Sequence, residues 1–489
     1  DTASRLPAEG YLLEVNGRGI SVTASDIAGA NHALRSLTQQ MSFEGRLLRP
    51  VRIKDSPRYE FRGVHMDLGR NFHSKEALLK LTEAMAAYKL NKLHLHLADD
   101  EGWRLEIAGL PELTEVGARR CYDPSERRCL LPQLGSGVDE RNSSNGFLSR
   151  GDYVEIVRAA AARNIEVIPS IDMPGHSRAA IRAMEARHAR FAAAGDQKKA
   201  AEFRLVDPED RTQYRSIQHY TDNTLNVCMP STYRFIDAVV DDIAAMHRSA
   251  GVPLRTFHLG ADETAGAWKD SPACKGMIAS SGGEAPKLTP RFIERVATML
   301  SAKGLQAAGW SDGLGHTASD AMPRNVQTNI WGTLHTTGVQ EAHEQANRGW
   351  KTVLSIPDLG YFDMPYAPHP EEHGYDWATR GVDSYQVFAF NPANLPANAA
   401  LITNIKGSYQ PLADTPQLDP SRGVAGLQAQ LWSETIRTDA MMEHMLFPRL
   451  LALAERAWSP APWEPAYESG AKWLWQDARV VTPGLTAAW

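Results

Sequence analysis

Two adjacent carboxylic acids, Asp262 and Glu263, follow a short apolar run at residues 256–260 that is typical of a buried strand. Each ionised carboxylate makes ionisation of its neighbour less favourable, so one member of such a pair can stay protonated near neutral pH. A protonated carboxylic acid is what a reaction needs when a leaving oxygen must receive a proton. Because an isolated Asp-Glu pair is more often a solvated loop, the prediction depends on the residues that accompany it.

Polar and aromatic residues also follow seven other apolar runs of the chain. Tryptophan faces stack on the apolar faces of sugar rings, while carboxylates and a guanidinium group hydrogen-bond sugar hydroxyls. If these residues meet in one place, they suit cleavage of a glycosidic bond with acid help to the leaving oxygen. They are Arg70, Asp99, Asp172, His176, Trp310, Asp312, Trp331, Tyr361, Asp363, Trp432 and Glu434.

Eight strand-like apolar runs, alternating with amphipathic helical stretches, are the elements that would position these residues. They cover residues 61–68, 92–97, 166–171, 256–260, 305–310, 326–331, 352–356 and 426–432. This alternation favours parallel strands joined by crossovers, and eight of them over about 400 residues predict an α/β fold, a (β/α)8 TIM barrel. A doubly wound open sheet is the alternative, but we find no Gly-x-Gly-x-x-Gly turn to support it. In a barrel, the loops after all eight strands meet at one mouth, so the strand-end residues would meet there.

A smaller unit precedes the predicted barrel. Residues 10–24 contain two alternating strand-like runs, and residues 28–41 have the apolar spacing of a helix. We therefore predict a partial α+β domain, strand-strand-helix, at residues 1–55. The catalytic barrel, with a C-terminal tail, is predicted at residues 56–489.

Composition excludes several classes of function. The chain has 489 residues, of which 43% are apolar and 22% charged, with a net charge of -6 and no block of like charges. These values give no electrostatic support for a nucleic-acid or membrane-surface partner. No apolar run approaches the roughly 20 residues that span a bilayer. The N-terminus does not resemble a signal peptide, so we expect any export signal to be absent from this chain.

The residues around these strand ends resemble glycoside hydrolase family 20, the β-N-acetylhexosaminidases, and most closely its bacterial chitobiase branch. The resemblance runs from about residue 59 to 458. It is most specific at residues 121–133, 166–176, 202–208 and 430–439. It implies an exo-acting enzyme that removes terminal N-acetylglucosamine, with N-acetylgalactosamine as an alternative, from oligosaccharides such as chitobiose.

The resemblance also implies a mechanism. Glu263 would be the general acid, and Asp262 would orient the 2-acetamido group of the substrate. That group, rather than an enzyme carboxylate, would attack the anomeric carbon and form an oxazolinium intermediate, which water opens with retained configuration. One departure from the family is Ala261, which stands where the family usually has glycine.

Four aromatic residues are implied to enclose the acetamido group and the sugar ring. Tyr361 would hydrogen-bond the acetamido oxygen. Trp310, Trp331 and Trp432 would form walls around the acetamido methyl group and the ring.

Five polar residues complete the implied substrate site. Arg70, Asp363 and Glu434 would hydrogen-bond the sugar hydroxyls. Asp172 and His176 would form a supporting pair that tunes the general acid.

A metal-dependent barrel hydrolase is the rival enzyme class, because His94 and His96 form a His-x-His pair on a strand with Asp99 nearby. Such a site would need further ligands from later strands, whose ends supply Trp and Tyr instead. We therefore expect no metal and no cofactor. A non-catalytic sugar-binding protein on the same barrel is disfavoured because both Asp262 and Glu263 are retained.

The four cysteines, by their count alone, fit either two disulfides or four reduced thiols. The family resemblance implies an exported protein, because the chitobiase branch is exported. On that ground we predict the disulfides Cys121–Cys129 and Cys228–Cys274, a periplasmic or secreted location, and a role in chitin degradation.

Overall fold

A computed structural model describes residues 6–43, 48–264, 266–401, 403–404, 407–408, 412–461 and 464. The N-terminal unit consists of strands β1 (Tyr11–Asn16) and β2 (Gly19–Ala24), helix α1 (Ile27–Phe43) and strand β3 (Val51–Asp55). The strands form an antiparallel sheet in the order β2-β1-β3. The third strand was not predicted, although its alternation of apolar and charged residues is a strand signal. The division of the chain at residues 55 and 56 stays a prediction.

The predicted (β/α)8 barrel is confirmed. The remaining strands are β4 (Phe61–Asp67), β5 (Lys92–His96), β6 (Ala98–Asp99), β7 (Gly102–Trp103), β8 (Glu166–Met173), β9 (Thr256–Gly260), β10 (Gln306–Trp310), β11 (Val326–Ile330), β12 (Lys351–Leu354), β13 (Thr403–Asn404), β14 (Gly407–Ser408) and β15 (Gly426–Leu431). Eight of them close into a barrel in the order β4-β5-β8-β9-β10-β11-β12-β15, with every pairing parallel. All eight coincide with predicted runs to within two residues at each end.

Helices cover the outside of the barrel. They are α2 (Lys75–Ala87), α3 (Glu112–Glu115), α4 (Arg150–Ala161), α5 (Arg178–Ala193), α6 (Gln197–Glu202), α7 (Pro230–Ala250), α8 (Lys275–Ser280), α9 (Leu288–Ala302), α10 (Ser311–Gly315), α11 (Gly338–Asn347), α12 (Pro357–Gly360), α13 (Ser384–Ala389), α14 (Leu395–Leu401), α15 (Asp439–Leu446) and α16 (Arg449–Trp458). Ser74 and Ser149 cap α2 and α4 by accepting backbone N–H bonds, which satisfies donors that a helix start leaves free.

The lumen of the barrel is polar at its centre. His65, His94 and His258 are fully buried there, with ring centroids 4.6 Å apart for His65 and His94 and 4.4 Å apart for His94 and His258. Burial lowers the pKa of His94 to about 3, so its ring is neutral at physiological pH. These rings fill the centre of the barrel, below the C-terminal ends of the strands.

The N-terminal unit contacts the barrel through the last barrel helix. Trp458 of α16 packs among the buried side chains of β1 and α1, and its indole N–H donates to Asp55 Oδ2 at 2.9 Å. Arg62 of β4 forms an ion pair with Glu9. The predicted C-terminal tail lies outside the described residues beyond Ala461, apart from Glu464.

Both predicted disulfides, Cys121–Cys129 and Cys228–Cys274, are present. The second joins the residue two positions before α7 to the loop that follows β9. Within the described ranges, no helix has the length and apolarity that a membrane crossing requires.

Candidate active site

The C-terminal ends of the barrel strands bring most of the predicted site residues into mutual contact. Arg70 follows β4, and its guanidinium carbon lies 4.8 Å from the ring centroid of Trp432, which follows β15. The rings of Trp432 and Trp310 are 5.5 Å apart, and those of Trp432 and Tyr361 are 6.3 Å apart. Asp363 Oδ1 accepts the backbone N–H of Trp432 at 3.3 Å. Residues from both halves of the chain are therefore in contact at this end of the barrel.

The turn that carries the acid pair has an unusual backbone. Gly260, Ala261 and Glu263 have φ angles of 71°, 78° and 44°, in the left-handed region that residues other than glycine rarely adopt. Ala261 therefore occupies a strained position, where glycine would fit without cost. The backbone N–H of Glu263 donates to Asp312 Oδ2 at 3.0 Å, which fixes the turn to the end of β10.

Asp262 is buried, and burial raises the pKa of its carboxyl well above the usual range. The nearby carboxylates of Asp172, Asp312 and Glu263 raise this pKa further, while His176 opposes them. The Oδ1 atom of Asp262 is buried and has no hydrogen-bond partner in the described part of the chain. Since an unpartnered buried acceptor is unfavourable, this atom is suited to receive a donor from a ligand.

Glu263 lies in different electrostatic surroundings from its neighbour. Burial raises the pKa of its carboxyl, but hydrogen bonding and the charge of His176, a hydrogen bond from Gln218 and the charge of Arg70 outweigh burial and leave the pKa lowered. His176 Nε2 lies 3.4 Å from Glu263 Oε2, and Gln218 Nε2 donates to the same oxygen at 2.6 Å. Without a ligand, Asp262 is therefore the weaker acid of the pair and Glu263 the stronger one.

His176 connects the acid pair to a second group of acids. Its Nε2 lies 3.6 Å from Asp262 Oδ2, and its Nδ1 lies 3.1 Å from Asp99 Oδ1. Burial lowers the pKa of His176, but the charges of Asp99 and Asp262 raise it well above 6.5. Burial likewise raises the pKa of Asp99, but Arg70 and His176 hold it well below 3.8. His176 is therefore most stable as an imidazolium, with Asp99 beside its Nδ1 and the acid pair beside its Nε2.

The role of Asp172 and His176 as a pair that tunes the general acid stays a prediction, and the two residues contact different partners. The residue in contact with His176 is Asp99, whereas Asp172 Oδ1 lies 3.6 Å from His96 Nδ1 and accepts from Ser170. The reason is that β8 continues to Met173, two residues beyond the predicted end, so Asp172 is buried within the strand. His96 Nε2 in turn lies 2.7 Å from Asp99 Oδ2, so contacts through His96 and Asp99 connect Asp172 to His176, while the charge of Asp172 also acts directly on the carboxyl of Asp262.

Arg70 is surrounded by carboxylates. Its Nη2 lies 3.0 Å from Asp99 Oδ2, and its Nε lies 3.4 Å from Glu101 Oε2. The pKa of Glu434 is raised to about 7 by burial, with Arg70 opposing. Burial and the charge of Glu434 also raise the pKa of Asp363 well above its usual range. Groups of this kind can exchange hydrogen bonds with sugar hydroxyls as donors or acceptors.

The aromatic wall includes one residue that the sequence did not single out. Trp377 is 42% exposed, and its ring lies 5.8 Å from Tyr361 and 6.2 Å from Trp331. The indole N–H of Trp331 donates to Asp312 Oδ1 at 2.9 Å. Trp310 is almost fully buried against the histidines of the lumen. Trp377 lies in a long loop without periodicity, so only its aromatic character could have indicated it.

Two groups of side chains have the composition of a metal site within the described residues, namely His96, Asp99 and Asp172, and Asp99, Asp100 and His176. Asp99 belongs to both groups, and the fixed cation Arg70 lies against it, which opposes the binding of a second cation. His94, which the rival interpretation requires, belongs to neither group. Its Nδ1 lies 3.5 Å from Gln428 Oε1.

A large cavity opens at the opposite end of the barrel. It has a volume of about 820 Å³, and its lining includes Lys92, Glu166, Arg255 and Lys351. Lys92 is paired there with Glu166 at 2.6 Å. None of the predicted site residues lines this cavity, and TIM-barrel chemistry occurs at the other end, so geometry favours the C-terminal mouth.

Comparisons with known proteins agree on one family. Residues 59–461 match the family described as "Glycosyl hydrolase family 20, catalytic domain". The chain is 53% identical over 462 residues to beta-hexosaminidase B of Pseudoalteromonas piscicida, covering 94% of this chain and 60% of that protein. It is 42% identical over 506 residues to the N,N'-diacetylchitobiase of Vibrio harveyi, covering 96% of this chain and 57% of that protein. The chain thus spans less than two thirds of the length of these relatives.

Solved structures of the same family are also similar. A crystal structure of the GH20 exo beta-N-acetylglucosaminidase from Vibrio harveyi in complex with N-acetylglucosamine has a TM-score of 0.74 at 33% identity, covering 95% of this chain and 65% of that one. The Streptomyces plicatus N-acetyl-beta-hexosaminidase in complex with Thio-NAglucal has a TM-score of 0.65 at 29% identity, covering 94% and 77%.

Proposed function

The chain belongs to glycosyl hydrolase family 20, and on that premise we propose that it is a retaining, exo-acting β-N-acetylhexosaminidase. It removes terminal N-acetylglucosamine, with N-acetylgalactosamine as the alternative, from oligosaccharides such as chitobiose. The observation that carries this proposal is the unequal acid pair: Asp262 has a raised pKa and an unpartnered buried oxygen, while Glu263 is held by His176.

In the first step, the 2-acetamido oxygen of the substrate attacks the anomeric carbon, and the bond to the leaving oxygen breaks. Glu263 gives its proton to that oxygen. The acetamido nitrogen becomes positively charged, and the carboxylate of Asp262 stabilises it by accepting its N–H. In the second step, Glu263 takes a proton from water, which opens the oxazolinium ring and retains the configuration.

Asp262, the weaker acid of the pair, can supply the proton that Glu263 needs. His176 Nε2 lies 3.6 Å from Asp262 Oδ2 and 3.4 Å from Glu263 Oε2, so it can pass a proton between the two carboxylates. Binding of the acetamido N–H favours the ionised form of Asp262, and a sugar over Glu263 removes water and favours its protonated form. Substrate binding thereby moves the proton from Asp262 to the general acid.

The rest of the pocket supports recognition of one N-acetylhexosamine ring. Trp310, Trp331 and Trp432 offer apolar faces to the acetamido methyl group and the ring, and Tyr361 offers a phenol hydroxyl to the acetamido oxygen.

The polar side of the pocket has a separate role. Arg70, Asp363 and Glu434 hydrogen-bond the sugar hydroxyls. Asp99 and His176 adjust the pKa values of the acid pair. His96 contacts Asp99, and Asp172 contacts His96.

The protein acts outside the cytosol, in the periplasm or after secretion, and it contributes to chitin degradation. The two disulfides support this location, because disulfides persist in oxidising compartments and are rare in the cytosol.

Hydrolysis of an aryl β-N-acetylglucosaminide tests the proposal. We expect the native protein to hydrolyse it, and Glu263→Gln and Asp262→Asn to lose on the order of 10²-fold or more in kcat, as when a general acid or an electrostatic stabiliser is removed. Glu209→Gln, an exposed control, should retain native activity. Native activity in either pair variant would refute the proposal.

Chelator treatment tests the rival metal-dependent hydrolase. We expect full activity after incubation with EDTA and dialysis. Loss of activity that zinc restores would favour the histidine-based metal site instead.

A further inference from the structure

Gln218 contacts the proposed general acid from a loop that the sequence left without a role. The residue lies between α6 and α7 and is half-buried. Its amide nitrogen donates to Glu263 Oε2 at 2.6 Å. Its amide oxygen, Oε1, is buried and has no hydrogen-bond partner among the residues that the structure describes.

The position of Gln218 is fixed by a tight turn. The backbone N–H of Ser216 donates to the carbonyl of Tyr220 at 2.8 Å, and the N–H of His219 donates to the carbonyl of Ser216 at 2.9 Å. The hydroxyl oxygen of Tyr220 lies 2.9 Å from Glu101 Oε1, which anchors this turn to the turn between β6 and β7. The disulfide Cys228–Cys274 closes the far end of the loop. The side-chain amide of Gln218 is therefore fixed in position beside Glu263.

The two ends of the amide have unequal surroundings. The nitrogen is satisfied by a carboxylate, whereas the buried carbonyl oxygen is left unpaired, which is unfavourable unless a ligand supplies a donor. A general acid must lie within hydrogen-bond reach of the leaving oxygen. A group bonded to that acid is consequently close to the sugar that leaves, and a pyranose carries hydroxyl donors on the carbons next to its linkage oxygen.

We propose that Gln218 binds the leaving sugar: its Oε1 accepts a hydroxyl of the pyranose ring on the leaving side of the scissile bond, while its Nε2 holds Oε2 of Glu263. This inference rests on the proposed function. It makes Gln218 a specificity-determining residue, because a leaving alcohol without ring hydroxyls leaves its carbonyl oxygen unpaired.

The test compares two substrates whose leaving groups both need protonation. N,N'-diacetylchitobiose has a sugar as leaving group, and methyl β-N-acetylglucosaminide has methanol, which lacks further hydroxyls. The ratio of their kcat/KM values is measured for the native protein, for Gln218→Met and for Gln213→Met. Gln213 is an exposed glutamine of the same loop and serves as the matched control.

We expect the ratio to fall by about 10-fold or more in Gln218→Met, the size of one lost hydrogen bond to a buried neutral partner, and to stay native in Gln213→Met. An effect on Glu263 alone would slow both substrates together and leave the ratio unchanged, and that result overturns the inference. An equal fall in Gln213→Met also overturns it.

Two further outcomes are separable. If Gln218→Met does not fold, Gln218→Asn, which withdraws the same amide by one methylene group, should show the same fall in the ratio, and an unchanged ratio there overturns the inference. If the native protein hydrolyses neither substrate, the proposed function itself fails.

Discussion

Asp262 and Glu263 are adjacent in the chain, yet their pKa values move in opposite directions. Burial dominates at Asp262 and raises its pKa, whereas contacts with His176 and Gln218 lower the pKa of Glu263. Groups whose surroundings separate their pKa values in this way can take different roles in one reaction. The sequence predicted that one of the two is a candidate for staying protonated, but which pKa is raised follows from contacts to distant residues, which no local pattern contains.

The charge of Asp99 should set the pH range of activity. Asp99 is ionised and lies 3.1 Å from His176, so Asp99→Asn removes an anion that holds protons on His176 and the acid pair. We expect the alkaline limb of kcat/KM to move to lower pH by about one unit or more. The measurement is a full pH–rate profile on an aryl β-N-acetylglucosaminide.

The neighbouring Asp100 is a matched control for this variant. Its carboxyl lies 3.7 Å from His176 Nδ1, but burial raises its pKa to about 8, so it is mostly protonated below pH 7. Asp100→Asn therefore replaces one neutral group by another, and its alkaline limb should move much less. Equal shifts in both variants would show that the charge of Asp99 is not the cause.

At the scale of elements, the turn after β9 is shaped by its contact with α10. A methyl group built on Gly313 of α10 would lie 1.8 Å from the carbonyl oxygen of Ala261, so the two backbones touch directly. Together with the bond from the Glu263 N–H to Asp312, this contact fixes the left-handed turn that presents the acids.

Gly313→Ala should consequently move the acid pair. We expect kcat/KM to fall on the order of 10²-fold, because displacements of about 1 Å at a catalytic group have such effects. The assay is hydrolysis of the aryl substrate, with circular dichroism to verify folding. Gly266→Ala is the control, since nothing lies within 4 Å of a methyl group at that position. A folded Gly313→Ala variant with native kcat/KM would refute this account of the turn.

The elements differ in how well the sequence predicts them. The barrel strands are predictable because each is a short apolar run, and the residues after those runs form the site. The end of β8 is less predictable, because Asp172 and Met173 continue a buried strand through a polar residue. Gln218 and Trp377 reach the site from long loops, where no periodicity reports which side chains turn inward.

At the scale of the whole molecule, Trp458 links the N-terminal unit to the barrel. Its indole packs against His32 with centroids 5.0 Å apart, and the ammonium of Lys89 lies 4.4 Å above the ring. The alternation of apolar runs predicted the barrel, but not this contact, because Trp458 and the strands it touches are about four hundred residues apart in the chain.

Trp458→Ala should destabilise the protein while sparing the distant site. We expect the free energy of unfolding to fall by about 3–5 kcal/mol, the usual cost of removing a buried aromatic ring, with kcat/KM near native. Urea titration followed by fluorescence measures the free energy of unfolding, and hydrolysis of the aryl substrate measures kcat/KM. Tyr122→Ala, at a side chain that is 68% exposed, is the control. Unchanged stability in Trp458→Ala would contradict the linking role.

The central claim is that the 2-acetamido oxygen of the substrate attacks its own anomeric carbon. The most direct measurement is kcat/KM for aryl β-glucosaminides whose N-acyl group is acetyl, fluoroacetyl, difluoroacetyl or trifluoroacetyl. Fluorine weakens the carbonyl oxygen as a nucleophile with little change in size, so kcat/KM should fall steadily, by about 10²-fold or more across the series. Rates that stay level across the series would contradict the claim and would require a carboxylate of the protein as the nucleophile.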